Sequence, residues 1–478
     1  MKLKKRPETM ALLLMLGALW LTGCQKVPVA SFTADQEEGI SPLTVTFTNT
    51  STDAVRYEWM FGDGATSKEM HPVHTFSYDP DEFQQRYGVK LTAYGNDGES
   101  SSFSTVITAR KHVQTTNPKV TDLDIMVDTT VIHYFEEPFI CGLSIALIDG
   151  SESNIYHYGE TELGNGTLPD ETTLHKIGSV TTTFTTISLI YWLNQQNISL
   201  DAAVKDFLPE DLATGLSKGG VDVTFRHLLT FTAGFPLHPS NLPRNNPNAS
   251  YDSTDLYDYI KDEMLVRTPG TFPASYDDWY DEYYSAVSFG LLGVLLERNC
   301  KKDLQSIFNE TILQSYNMND TEINYIENLP NAATGNNKYS LGNNYSPIYY
   351  HFPGIYGWGG IASNLKDLIQ YAKCLIAEDE STDLGFAIME TFKDHFEVTD
   401  SPFPGLRIFQ CYPWISYLFS SGGKFLFMPG GAYGYTTLFS VDVQNEKAMI
   451  ILNNNYHIDN EFGEYFDGLR NSFFSSSP

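Results

Sequence analysis

Ser179 is the residue with the clearest capacity for chemistry. It sits in Lys176-Ile177-Gly178-Ser179-Val180-Thr181-Thr182-Thr183-Phe184-Thr185, a small-residue entry followed by apolar positions at Phe184, Ile187, Leu189, Ile190 and Leu193. That pattern predicts the start of a helix. A serine hydroxyl is almost wholly protonated at neutral pH, so it attacks a carbonyl only when a neighbouring base takes its proton. Residues three apart on a helix share a face, with Cβ atoms about 5–6 Å apart, so an amine at position 182 could reach the hydroxyl. Thr182 stands there instead. Two lysines could stand in: Lys176, three residues before the serine but ahead of the helix proper, and Lys424 near the chain's end. Tyr284 is a third candidate, but a phenol with its ordinary pKa near 10 is a poor base unless a cation lowers it.

The elements around Ser179 follow a definite order. Phe139-Ile140-Cys141-Gly142-Leu143-Ser144-Ile145-Ala146-Leu147-Ile148 predicts a buried strand, and Ile155-Tyr156-His157-Tyr158-Gly159 its hairpin partner, both ahead of the serine helix. After the helix come Leu200-Asp201-Ala202-Ala203-Val204-Lys205-Asp206-Phe207-Leu208-Pro209 and Val223-Thr224-Phe225-Arg226-His227-Leu228-Leu229-Thr230-Phe231-Thr232-Ala233-Gly234-Phe235-Pro236. Further on stand Tyr284-Ser285-Ala286, then Met318, Asp320 and Thr321, then Gly359-Gly360-Ile361-Ala362-Ser363-Asn364-Leu365-Lys366-Asp367-Leu368, and last Pro429-Gly430-Gly431-Ala432-Tyr433-Gly434. These segments resemble, in order, the motifs of the serine β-lactamase and penicillin-binding-protein family, in its class C and esterase-like branch. The resemblance runs from about residue 135 to about residue 455. It implies an α/β domain with an antiparallel sheet, flanking helices and a helical subdomain.

The resemblance also assigns roles. Ser179 would be the nucleophile and Tyr284 the tyrosine that shares the base role. Gly431 and Ala432 would edge the ligand cleft, with the backbone N–H groups of Ser179 and Ala432 forming an oxyanion hole. Three positions depart from the pattern: Thr182 replaces the lysine, Ala286 the asparagine that would hold a substrate amide, and Pro429 the histidine or lysine. Loss of a positioned base costs about 10²–10⁴ in rate. The three lost groups serve one step, so their costs need not add. Backbone donors survive such changes.

Residues 28–112 read differently. Short alternating runs between turn signals predict an immunoglobulin-like β-sandwich. The Trp59-Met60-Phe61-Gly62-Asp63-Gly64 turn and the later Pro72-Val73-His74-Thr75-Phe76 segment resemble the PKD domain. Asp63 and the His71/His74 pair invite a metal reading, but no further ligand is in view and glycine-rich turns have a structural use. No metal and no cofactor is expected.

Residues 1–23 resemble a lipoprotein signal peptide: Lys2, Lys4, Lys5 and Arg6, an apolar run too short to span comfortably, then Leu21-Thr22-Gly23-Cys24. The resemblance makes Cys24 a lipidation site. It anchors the protein to a cell membrane or outer membrane facing away from the cytoplasm, with residues 24–27 as tether. Residues 113–128 read as a linker and 129–478 as the second domain. The formal net charge of −29 disfavours nucleic acid as a partner. Cys141, Cys300, Cys374 and Cys411 show no metal-type spacing and allow three disulfide pairings. The leading expectation is a pseudoenzyme that binds an acyl-peptide, a peptidoglycan-type fragment or a protein partner. The alternatives are a working serine hydrolase with a non-standard base, and a structural or adhesion protein.

Overall fold

The computed structural model describes residues 26–475 except 78–83, 138, 244–249, 263–264, 274, 276–282, 324–328, 330, 337–351, 378, 399–405, 421–422 and 457–460. The signal segment, Cys24 and most of the acidic 275–283 insert therefore lie outside the described residues. The chain divides into two compact units, Met1–His112 and Val113–Pro478. Among the described residues no helix is long and apolar enough to cross a membrane.

The first unit is a sandwich of a three-stranded and a five-stranded sheet. Strand Leu43–Asn49 alternates buried and exposed residues along its whole length, as a strand with one face on a core must. The core is aromatic: Phe32, Phe47, Trp59, Phe61 and Phe76 pack edge-to-face or tilted. Gly62 and Gly64 have positive φ, and a side chain on Gly62 would strike the Gly88 backbone. In the turn they make, Asp63 accepts a hydrogen bond from the Ala65 N–H and lies 2.7 Å from His74 Nε2. His74 stacks on Phe61 at 4.1 Å, and His71 Nδ1 accepts from the Asn49 N–H. Among the described residues no cluster of three metal-binding side chains forms. These groups serve the turn and the core.

The second unit is built on an eight-stranded antiparallel sheet. Its order is Glu152–Gly159, Gly142–Asp149, Lys447–Asn453, Tyr435–Asp442, Lys424–Ala432, Ile415–Phe419, Leu406–Gln410 and Phe396–Val398. The helix Thr181–Gln196 packs among other helices and is buried along most of its length. It tolerates five buried threonines because their hydroxyls return to its own backbone: Thr182 to Ser179 O, Thr183 to Val180 O, Thr186 to Thr182 O. Thr185 donates across to Gly357 O, and Thr183 also accepts from the Tyr371 hydroxyl.

Two sequence motifs meet around one buried carboxylate. Asp367 Oδ2 accepts from the Asp320 N–H and the Thr321 hydroxyl. At the far end of the sheet Asn455 accepts from the Cys141 N–H and donates to Phe139 O, while Asn454 donates to Thr161 O. None of Cys141, Cys300, Cys374 and Cys411 is joined in a disulfide.

The stretch expected to be a linker, 113–128, is not one. Thr115 and Asn117 bind the His157 carbonyl, and a helix runs over Asp122–Tyr134. Its start is a capping box: the Thr121 hydroxyl accepts from the Asp124 N–H and the Asp124 carboxylate from the Thr121 N–H. Val127, Val131 and Tyr134 form its buried stripe.

Two outcomes follow. Asp124 is held down to about 2 by N–H donors from Thr121 and Val120 and by the Tyr156 hydroxyl. Its folded pKa lies below the ordinary carboxylate value, so its contribution is present above about pH 4 and is lost as pH falls toward 2. Urea midpoints measured between pH 5 and 2 should fall more steeply for wild type than for Asp124→Asn. Second, Gly178 has φ +53, and a Cβ there would lie 2.5 Å from Gly431 O. Gly178→Ala should destabilise the second unit by about 2–4 kcal/mol, from strain plus overpacking, read as a lowered urea midpoint.

Candidate functional site

Ser179 lies in a single 3₁₀ turn, Gly178–Val180, that runs straight into the Thr181–Gln196 helix. The turn is pressed against the strand Lys424–Ala432. A Cβ on Gly430 would lie 2.0 Å from Ile177 O, so only glycine allows the two backbones to come so close. The contact places Ser179 beside Gly431 and one residue from Ala432. Tyr284 arrives from the segment ahead of the helix Ala286–Cys300. It is positioned by Ser285, whose hydroxyl caps that helix and donates to Pro236 O, and by the Ala286 N–H, which donates to Leu237 O.

Ser179, Tyr284, Pro429 and Gly431 line one cleft, together with Pro413, Ile415 and Met428. It holds about 80 Å³, room for a carboxylate or a small acyl group. Among the described lining residues none carries a charge. Ser179 is 7% exposed, and among the described residues none hydrogen-bonds its side-chain oxygen.

The positions that departed from the family pattern are now accounted for by geometry. Thr182 is fully buried; its hydroxyl donates to Ser179 O at 2.6 Å and lies 4.0 Å from Met428 Sδ. It faces the strand but offers Ser179 Oγ no acceptor. Ala286 is buried at the first turn of its helix and is not among the cleft residues. Pro429 presents a ring where a cation would stand. Neither lysine is among the described residues that line the cleft. Lys176 belongs to the short strand His175–Lys176, paired with Ile361–Ser363. Lys424 is paired with Asp394 at 2.9 Å. It lies five residues from Pro429 along an extended strand, about 16 Å, and on the opposite face of it.

Several wall residues lie outside the motifs singled out in the sequence. Met428 adjoins Pro429, and strand alternation alone would have aimed it at the serine helix. Pro413 follows Tyr412, whose hydroxyl accepts a hydrogen bond from Arg226. Arg226 is held in turn by Asp201, with Nε–Oδ1 at 2.6 Å. Burial raises the Tyr412 pKa above the usual phenol value, so the cleft wall is braced by a neutral phenol on a cation. Phe231 adopts φ +60, uncommon for a bulky residue, with its ring 4.8 Å from that of Tyr284 and 5.2 Å from that of Phe289. Trp358 Nε1 donates to the Tyr284 hydroxyl at 3.2 Å, and His238 meets the Trp358 ring edge-on at 5.2 Å.

Comparison with known proteins agrees with this architecture. The family description "Beta-lactamase" matches residues 127–467, and "PKD domain" matches residues 25–109. The chain is similar to a beta-lactamase of Yersinia enterocolitica, 26% identical over 213 residues, which is 44% of this chain and 50% of that protein. It is similar to the D-alanyl-D-alanine-carboxypeptidase/endopeptidase AmpH of Escherichia coli strain K12, 25% identical over 197 residues, 41% of this chain and 49% of that one. The chain thus spans about half the length of these curated relatives. A beta-lactamase/D-alanine carboxypeptidase from Pseudomonas syringae shares the fold, with a TM-score of 0.60, 21% identity, and coverage of 75% of this chain and 100% of that one. The chain belongs to the beta-lactamase family, with a PKD domain ahead of its beta-lactamase domain.

Proposed function

We propose that this protein is a membrane-tethered binding pseudoenzyme, in which the beta-lactamase domain holds an acyl-peptide ligand and does not turn it over. One observation carries the reading: no described group hydrogen-bonds the Ser179 hydroxyl, and the position of the expected amine is filled by Thr182 against Met428. Without a base the serine stays protonated, a loss of about 10²–10⁴ in rate. Ser179, Tyr284 and the backbone beside Gly431 and Ala432 still offer donors to a carbonyl or carboxylate. The neutral, partly apolar walls suit a small acyl group. A relative that is named a D-alanyl-D-alanine-carboxypeptidase/endopeptidase makes peptides ending in D-alanyl-D-alanine the first ligands to try. Cell-wall fragments and protein partners are the wider class. The lipoprotein-type start, Leu21-Thr22-Gly23-Cys24, supports a lipid anchor on Cys24, with the PKD domain as spacer.

The second reading, a working serine hydrolase, draws on Ser179 itself, which stands in an open cleft on the nucleophile turn of the fold. One experiment separates the two. The full chain and its Ser179→Ala variant are incubated with a penicillin and, separately, with a fluorophosphonate, and intact mass is recorded. The expected result is no adduct on either. An adduct on wild type alone would establish an activated Ser179 and end the pseudoenzyme reading. In parallel, N-acetyl-D-alanyl-D-alanine at 100 times its Kd should stabilise the domain by about 2.7 kcal/mol, read as a raised Tm.

Thr182→Val tests the role of the threonine. It removes one hydrogen bond to Ser179 O and keeps the shape. Stability should drop by about 0.5–1.5 kcal/mol, and reactivity toward the fluorophosphonate should not change.

A further inference from the structure

The two ends of the cleft differ in what they offer a ligand. Ser179 and the backbone of the glycine motif stand at the Gly431 end of the strand Lys424–Ala432. Four other lining residues are apolar: Pro413, Ile415, Met428 and Pro429. A proline has no backbone N–H, so positions 413 and 429 supply no main-chain donor either. Ile415 is the register partner of Phe427, which lies four residues before Gly431, about 13 Å along an extended strand. The apolar wall therefore runs away from Ser179 along the strand. It is held from behind. The buried Gln410 amide turns its Nε2 toward three carbonyl oxygens, Cys411 O at 2.7 Å, Pro413 O at 3.2 Å and Trp414 O at 3.5 Å, and Tyr412 accepts from Arg226. Met428 closes the floor. It is buried, and its Sδ lies 4.0 Å from the Thr182 hydroxyl, so the thioether fills the space between the cleft and the serine helix.

We propose that this wall is the specificity surface of the cleft: it takes a short, uncharged acyl chain whose carbonyl sits at Ser179, and Met428 sets the length accepted. The inference rests on the binding role proposed above and names the part of the ligand that the wall reads. A space of about 80 Å³ admits only a few carbon atoms beyond the carbonyl. An ammonium or carboxylate on the chain would be buried against these apolar side chains without a partner, which is costly. The prolines and Ile415 are stiff and braced. Methionine is unbranched and adaptable, so Met428 is the wall residue whose size decides where the chain must stop.

The test measures binding to the full chain by calorimetry with acetyl-, butanoyl-, pentanoyl-, hexanoyl-, octanoyl- and decanoyl-D-alanine, beside N-acetyl-D-alanyl-D-alanine. Over the shorter members affinity should rise about four-fold per added methylene and then stop rising. 4-Aminobutanoyl-D-alanine, which matches the pentanoyl compound in size but ends in an ammonium, should bind about ten-fold more weakly than it, or worse. Met428→Ala should move the best chain to a longer member of the series, and Met428→Leu, which conserves volume, should leave it in place. Ile415→Ala should lower the gain per methylene. Tm is followed throughout; if Met428→Ala does not fold, the wild-type series and Ile415→Ala decide the matter. Affinity independent of chain length, equal binding of the ammonium compound, an unchanged gain in Ile415→Ala or an unmoved optimum in folded Met428→Ala each overturns this inference. The binding reading then still stands if N-acetyl-D-alanyl-D-alanine binds wild type. If no compound binds wild type, both fall together.

Discussion

At the floor of the cleft, backbone meets backbone with no side chain between. Ile177 and Gly178 lie against Gly430 and Gly431 so closely that a single added methyl group would overlap a carbonyl. Everything that the site can do depends on that approach. It sets the serine turn on the edge of the strand, fixes Ser179 beside Gly431, and leaves the end of the strand to close one side of the cleft. The helix behind it is held by packing and by threonine hydroxyls that bond to its own carbonyls. The geometry is thus written in main chain and glycine. Changes at the reactive side chains leave it untouched, so a scaffold of this kind can lose its charged groups and keep its shape.

What replaced those groups follows one direction. A threonine that hydrogen-bonds inward, a proline and an alanine stand where the family pattern has an amine, a histidine or lysine, and an amide. Each removes a charge or a hydrogen-bonding head, and each packs. The result is a cleft of neutral donors with apolar walls. A neutral donor set binds an oxygen without having to move a proton, and it pays no desolvation cost for a buried charge. Arg226, behind the wall at Tyr412, is already committed to Asp201 and to the hydroxyl of Tyr412.

Most of the fold was legible because the motifs are local and long. The serine helix, the glycine turn of the last motif, the hairpin before the helix and the aromatic sandwich each announce themselves within a dozen residues. The helix Asp122–Tyr134 is hidden in the sequence because only Val127 of its buried stripe falls within 113–128, while Val131 and Tyr134 lie beyond it. Asp124, which looks like one more linker acid, is in fact its cap. Trp358 and His238 could not be found from sequence at all, since Trp358 meets Tyr284 from 74 residues downstream and His238 meets Trp358 from 120 residues upstream. Their partnership exists only once the helical subdomain has folded. Lys424 shows the converse. Its closeness to Pro429 in sequence is real, but strand geometry carries it about 16 Å away and turns it to the other face.

The placement of the first strand of the second unit bears on how the chain is made. Gly142–Asp149 sits between its hairpin partner and Lys447–Asn453, and the N–H of Cys141 is bound by Asn455, 314 residues later. The centre of the sheet therefore cannot close until residues 447–455 have joined the strands around residue 145. The sandwich ahead of it has its longest strand pairing between Glu38 and Thr108 and can close early. Contacts of long sequence separation slow folding, and domains generally fold as units with the N-terminal one first. The second unit, whose half-sheet waits for a partner some three hundred residues away, is therefore the slower of the two to fold.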